Sequence, residues 1–263
     1  MNHVARPHGK ACLAGVPAPL PLEAFTSWLS RAALSQGAGL WEFAKFLGIS
    51  LKRDPDFWLP NDTIDRALDT CGLPATSFAD LHRFFGSLRS ITSNGEPFLA
   101  RTRGRAQFRY CPSCLREQPT PYLSLLWRFI AWRWCPTHDC RLEDQCPKCK
   151  AALEGPIDLV ATSSCGDGLL SRCSHCGERL HSARPGLVGG PDRVGLDAME
   201  TILLKNACAV LSALYLGRVA DTFSEEPIGV AELIHLRRLG LLSHRFDWLS
   251  DRTTRHRAVE ANE

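Results

Sequence analysis

Four short cysteine motifs within 66 residues constrain this chain more than any other feature of its sequence. In each motif two residues separate the two metal-binding side chains, so one tight turn can present both to the same point. Backbone amides in such a turn donate hydrogen bonds to sulfur and favour the thiolate. The motifs are Cys111-Pro-Ser-Cys114, Cys135-Pro-Thr-His138, Cys146-Pro-Lys-Cys149 and Cys173-Ser-His-Cys176.

Pairing the motifs in sequence order predicts two structural zinc sites with four ligands each. The halves are separated by 20 residues in the first site and by 23 in the second, close to the spacing of zinc ribbons and treble clefs. The first predicted set is Cys111, Cys114, Cys135 and His138, and the second is Cys146, Cys149, Cys173 and Cys176.

Spacing alone leaves three features of these sites open. The first motif could pair with the third and the second with the fourth, which would interleave the two sites. Cys140 could replace His138 as a ligand, although His138 repeats the two-residue spacing of the other motifs. His175 or His181 could lie just outside the ligands.

Sites with three or four thiolates and no free coordination position do not resemble catalytic zinc, which keeps a water molecule and favours histidine and carboxylate ligands. A thioredoxin-type redox pair does not come in fours, and iron–sulfur clusters usually need a tighter run of cysteines. The sequence also contains no nucleophile elbow, Walker A loop or dinucleotide-binding glycine fingerprint. We therefore predict that the protein is not an enzyme and that its metal ions stabilise the fold.

The rest of the sequence predicts a cytoplasmic protein. No stretch approaches 18 uncharged apolar residues, so no membrane span is expected. The first 21 residues lack the apolar run of a secretion signal. In that compartment the 12 cysteines are expected to be reduced thiols.

Composition divides the chain into four parts. We predict a flexible leader (1–20), a helical domain with a helix-turn-helix outline (21–100), a double zinc-binding domain (101–184) and a C-terminal helical segment with a polar tail (185–263). The expected fold class is mainly α, with small β elements at the zinc knuckles.

Apolar residues recur at helical spacing from Leu22 and again from Leu40, and Gly37-Ala-Gly39 separates the two runs. Two short helices around such a turn have the outline of a helix-turn-helix, although an ordinary helical bundle has the same outline. Two further helices are predicted, one capped by Asp62 and one by a capping box from Ser77 to Asp80. After a glycine-rich linker at 186–190, helices are predicted over 196–216 and 230–239.

Charge gives only a local indication of nucleic-acid binding. The formal net charge of +3 lies in the cysteine-rich segment, but two zinc ions with seven thiolates would cancel it. A basic cluster remains ahead of the first knuckle, and we predict that it binds nucleic acid; a solvated basic linker is the alternative. Its members are Arg101, Arg103, Arg105 and Arg109.

An ordered series of strings around the knuckles resembles the TniQ family, which includes the TnsD-like target selectors of bacterial transposons. The likeness begins in a helix at Pro21-Leu-Glu-Ala-Phe-Thr-Ser27-Trp28-Leu29 and covers roughly residues 17–182. The strings are Arg109-Tyr110-Cys111-Pro112-Ser-Cys114-Leu115, Pro121-Tyr122, Leu126-Trp127-Arg128, Cys135-Pro136-Thr-His138 and Leu142-Glu-Asp144-Gln-Cys146-Pro147-Lys-Cys149.

This resemblance implies a non-enzymatic transposition protein that couples target selection to an AAA+ ATPase regulator. Some members of the family bind target DNA, whereas others dock on an RNA-guided complex or form homodimers. The family's zinc ligands carry over to the eight predicted positions. Two departures are that the chain ends at 263, earlier than many relatives, and that 196–250 lacks a clear basic recognition helix. The alternative function is a stand-alone zinc-stabilised DNA-binding regulator.

Overall fold

The structure is a computed structural model. It describes residues 12–93, 95, 98–102, 104–163, 169–183, 198–219 and 228–233. Predictions for the leader before residue 12, Arg103, the linker at 186–190 and the polar tail lie outside these residues.

The described residues form a helix-rich fold with small strands, as the sequence predicts. Five helices precede the cysteine motifs, the sixth carries the first knuckle, and two follow. The helices are α1 (Phe25–Ser35), α2 (Leu40–Phe46), α3 (Pro55–Trp58), α4 (Asn61–Thr70), α5 (Ala79–Ile91), α6 (Pro112–Glu117), α7 (Leu159–Ser163) and α8 (Ala198–Leu216).

Seven short strands form three small antiparallel sheets among the described residues. The strands are β1 (Arg101–Thr102), β2 (Arg105–Phe108), β3 (Trp134–Cys135), β4 (Cys140–Arg141), β5 (Leu153–Gly155), β6 (Arg218–Val219) and β7 (Ile228–Gly229). One sheet has the order β1-β2-β5, and the other two are the pairs β3-β4 and β6-β7.

The two predicted helices at the start of the chain are present as α1 and α2, which pack against each other. Gly37 lies just after α1 with a φ of 62°, a left-handed conformation that costs glycine no steric clash. This helix pair has the outline of a helix-turn-helix, and its use in nucleic-acid recognition stays a prediction.

The predicted caps of α4 and α5 are wrong. Helix α4 begins at Asn61 after Pro60, so Asp62 lies inside its first turn and pairs with Arg66 at 3.1 Å. A 3-10 turn (Ala75–Phe78) precedes α5, so Ser77 lies within that turn and does not cap the helix. A 3-10 turn often precedes an α-helix, and the spacing of residues in the sequence does not show where the turn ends and the helix begins.

Residues 12–20, which the sequence assigns to the flexible leader, lie along the helical segment. The backbone amide of Leu13 donates to the carbonyl of Thr70 at 2.9 Å. The indole nitrogen of the buried Trp28 donates to the carbonyl of Pro17 at 2.8 Å. These hydrogen bonds hold this part of the leader against α1 and α4.

The helical and cysteine-rich segments share one continuous apolar core in the described part of the chain. Three hydrogen bonds join α1 and the residue before it to the cysteine-rich segment. The amide of Ala24 donates to Leu123 O at 3.0 Å, and the amide of Leu123 donates to Ser27 Oγ at 3.0 Å. The amide of Ile157 donates to Ser30 Oγ at 2.9 Å. Helix α1 therefore also supports the segment that carries the knuckles.

A buried ion cluster also joins the segments. Arg128, at the end of a 3-10 turn between the two halves of the first predicted site, is fully buried. Its guanidinium donates to both carboxylate oxygens of Asp54 and to Asp56, at the start of α3. Thr26 donates its amide and its hydroxyl to Asp56 at 2.8 and 2.9 Å. Burial lowers the pKa of Arg128, but attraction to the two carboxylates outweighs it and raises the pKa overall, so the side chain stays charged.

Helix α8 packs against α5 through Tyr215. Its hydroxyl donates to Asp80 at 3.2 Å, and the guanidinium of Arg83 lies 4.9 Å from the centre of its ring. The helix predicted over 196–216 is thus confirmed as α8. Of the helix predicted over 230–239, the described residues 230–232 form a 3-10 turn and those from 234 lie outside the description. Among the helices described, none is both long and apolar enough to cross a membrane.

We expect Arg128→Leu to lower the free energy of unfolding by about 3–5 kcal/mol, because two buried carboxylates lose the guanidinium that donates to both of them. The matched control, Arg66→Ala, removes an exposed pair and should cost less than about 0.5 kcal/mol. Urea unfolding of the zinc-loaded protein measures both. Equal effects of the two substitutions would contradict a structural role for the cluster.

Candidate metal centre

The first knuckle is built on the start of α6. Cys111 is the residue before the helix, and its sulfur accepts a hydrogen bond from the amide of Cys114 at 3.4 Å. Pro112 occupies the first helical position, where its missing amide proton costs nothing. The turn therefore directs both sulfurs to one point, and Cys111 is fully buried there.

The other half of the first site comes from the β3-β4 hairpin. Cys135 ends β3, and His138 lies in the turn that leads to Cys140 at the start of β4. The next residue after the histidine, Asp139, has a φ of 45°. Lys150 and Gly177, which directly follow the second cysteine of the third and fourth knuckles, have φ values of 61° and 70°. Three of the four knuckles thus close with a left-handed residue.

The donor atoms of the first site are spaced as ligands of one tetrahedral ion. His138 Nδ1 lies 3.5, 3.3 and 3.5 Å from the sulfurs of Cys111, Cys114 and Cys135. The sulfurs of Cys114 and Cys135 are 3.6 Å apart. Zinc bonds of about 2.3 Å to sulfur and about 2.0 Å to nitrogen would separate tetrahedral ligands by about 3.8 Å (S to S) and about 3.5 Å (S to N). These residues fit a zinc ion with three thiolates and one imidazole.

Glu117 orients the histidine, and the sequence analysis missed it. Its carboxylate lies 2.7 Å from His138 Nε2, so the imidazole can donate there and present Nδ1 to the metal. A carboxylate behind a ligating histidine fixes the ring and raises its basicity. Glu117 follows Cys114 by three residues on α6, and this helical spacing was the available signal.

A fifth donor borders the first site. The sulfur of Cys140 is fully buried and lies 3.6 Å from that of Cys111. The four donors that all lie within 4.8 Å of one another nevertheless include His138 and not Cys140. The structure therefore assembles the set that the sequence prefers, with Cys140 beside it.

The second site brings together four sulfurs. Those of Cys146 and Cys176 are 3.6 Å apart, and those of Cys149 and Cys173 are 3.7 Å apart. All four lie within 4.8 Å of one another. The knuckles are thus paired in sequence order and not interleaved, and the set fits a four-thiolate structural zinc ion.

Backbone amides prepare the second site for a metal. Burial alone would raise the pKa of Cys146, but hydrogen bonds from the amides of Cys149 and Lys148 lower it to about 7. Burial raises the pKa of Cys173 overall, although the backbone amide of His175 opposes this through a hydrogen bond to the Cys173 sulfur. The His175 side chain is exposed. His181 lies in a 3-10 turn that packs against α6.

The three described members of the predicted nucleic-acid-binding cluster lie in different environments. Arg101 turns inward: its Nε lies 3.9 Å from Asp54, and its guanidinium is 6.0 Å from the ring centre of Phe57. Arg109 is half-buried and donates to the carbonyl of Ile130 at 2.7 Å, and burial lowers its pKa. Arg105 is 70% exposed. Arg103 lies outside the described residues.

A comparison with known protein families decides the assignment. Residues 14–142 match the model of the TniQ family. The chain belongs to the TniQ family. TniQ proteins are non-enzymatic accessory proteins of transposition, so this protein is associated with transposition and is not an enzyme. A search of curated proteins found no match. The matched segment contains the whole first metal site and ends before the second.

The purified protein should contain two zinc ions per chain. Replacing a whole knuckle, by Cys111→Ser with Cys114→Ser or by Cys146→Ser with Cys149→Ser, should remove about one ion, because too few donors remain. Elemental analysis measures the content. The matched control, Cys12→Ser, changes an exposed cysteine outside both sites and should keep both ions. A zinc content near zero in protein purified without chelators would contradict the assignment.

Proposed function

We propose that this TniQ protein is a target-site selection adaptor, which connects target DNA or a guide complex to an AAA+ transposition regulator. The match of residues 14–142 to the TniQ family carries this proposal. The two candidate metal sites support it. A metal ion bound by four protein ligands, three or four of them thiolates, stabilises the fold and has no free position for a substrate.

The exposed face of α2 supports a protein partner. Trp41 is 58% and Phe46 is 62% exposed, although Leu40, Phe43 and Ala44 on the opposite face are buried. Aromatic side chains are enriched in protein–protein interfaces. Large exposed ones therefore mark candidate interaction surfaces. We assign contact with the ATPase regulator to the exposed side of α2, which carries Trp41 and Phe46.

Two acidic groups, Glu42 and Asp158, lie near the N-terminus of α2. The Glu42 carboxylate folds back over Gly39, within 2.1 Å of where a Cβ on that glycine would lie. Asp158 accepts a hydrogen bond from the amide of Leu40 at 3.2 Å. Both positions are favourable for negative charge at a helix start. The face itself offers Lys45 as its only cation among the described α2 residues, which suits a protein better than a DNA backbone.

For DNA contact we propose a narrower footprint than the four predicted arginines. Arg105 begins β2 directly after Gly104, which has a φ of 79°, and Arg103 precedes that glycine in the sequence. The inward contacts of Arg101 and Arg109 support the hairpin and the first knuckle. Arg105 can donate two hydrogen bonds to a phosphate from its exposed position.

The adaptor role is tested by binding to the AAA+ ATPase encoded beside the gene. Purified protein should retain that ATPase, and Trp41→Ala with Phe46→Ala should reduce its affinity at least tenfold with zinc content unchanged. The matched control, Arg66→Ala, alters another exposed helix position and should bind normally. An isolated gene, or no binding by the wild-type protein, would favour a stand-alone zinc-stabilised DNA-binding regulator.

The DNA footprint is tested by the salt dependence of duplex binding. Arg103→Ala with Arg105→Ala should reduce the slope of log affinity against log salt by about two units, because two phosphate contacts are lost. Affinity should fall similarly on unrelated sequences. An unchanged slope, with both zinc ions still bound, would show that this hairpin does not contact DNA.

A further inference from the structure

The first metal site has five candidate donors for four positions. His138 completes the compact set, and Cys140 lies beside it with a fully buried sulfur. The distance of 3.6 Å between the sulfurs of Cys140 and Cys111 equals that between the ligands Cys114 and Cys135. Cys140 is therefore already at ligand spacing from one member of the site.

The β3-β4 hairpin holds Cys140 in this position. Cys135 and Cys140 are direct partners across the two strands, and the Cys140 thiol also interacts with the Cys135 sulfur. Cys140 thus borders the edge of the site formed by Cys111 and Cys135.

His138 is the ligand best placed to leave. Its side chain is 17% exposed, and its outer nitrogen is bound by the exposed Glu117. Cys111 and Cys135 are buried behind it. A neutral imidazole is also held less strongly by zinc than a charged, softer thiolate.

We propose that Cys140 is a reserve zinc ligand that takes the place of His138 at the first site. In this exchange the bond from zinc to His138 Nδ1 breaks, and a bond from zinc to the Cys140 sulfur forms. The thiol proton passes to the released Nδ1, while Nε2 keeps its hydrogen bond to Glu117. The total charge of the site and its histidine is unchanged. The metal and the fold persist, while the His138–Glu117 pair is released from the metal and can contact a partner.

The exchange is tested with His138→Ala, Cys140→Ser and the double variant in the full chain. Each single variant should keep two zinc ions, because four donors remain, whereas the double variant should lose one. The matched control at the second site, Cys176→Ser, has no described reserve thiol beside it and should lose about one ion by itself.

Cobalt substitution identifies the ligands that are used. In the wild-type protein two cobalt ions should have seven thiolate bonds, and His138→Ala should raise the thiolate charge-transfer absorbance by about one seventh as Cys140 binds. Cys140→Ser should leave the wild-type spectrum unchanged. Retention of both zinc ions by the double variant would overturn the proposal, since water would then complete the site. Loss of zinc from Cys140→Ser alone would also overturn it, because Cys140 would be the resident ligand.

Discussion

The charge of Arg128, buried between Asp54 and Asp56, is the interaction on which the arrangement of this protein depends. It joins the start of α3 to a turn that lies between the two halves of the first metal site. Neither partner could be buried alone, since an uncompensated charge in a core costs several kcal/mol. Thr26 on α1 satisfies a carboxylate of the same cluster, so three segments distant in sequence are fixed at one point. The helices and the first metal site are consequently held as parts of one core.

Sequence spacing predicted the features that depend on neighbouring residues. The knuckles, their pairing in sequence order as the structure assembles it, and the helices α1, α2 and α8 follow from local periods and turn chemistry. The buried ion cluster could not be predicted in this way, because its members are 72 and 74 residues apart and look like ordinary surface charges. The inward contacts of Arg101 and Arg109 could not be predicted for the same reason. Basic residues ahead of a knuckle suggest a phosphate-binding surface, yet Arg109 meets backbone carbonyls of the chain between the knuckles.

The boundary of the TniQ match does not coincide with a boundary in the fold. The match ends at residue 142, but β5 lies beyond it and pairs with β2, on the N-terminal side of the first knuckle. Phe108 of β2 faces Leu153 of β5 in this register. The second metal site is thus attached to the first through a shared sheet as well as through the packing of α6 against the turn at Leu180–Ser182. A single scaffold of this kind can hold a helix face and a hairpin turn at a constant separation, which the proposed adaptor role requires.

The separation of the buried charges along the chain has a consequence for synthesis. Asp54 and Asp56 leave the ribosome more than 70 residues before Arg128. Until that residue emerges, the two carboxylates lack the guanidinium that binds both of them, so the cluster cannot form before Cys111 and Cys114 have been synthesised. Arg128 itself lies in the loop between Cys114 and Cys135, and binding of the first metal ion shortens the effective length of that loop. Metal binding at the first site therefore lowers the entropy cost of placing Arg128 against its two carboxylates.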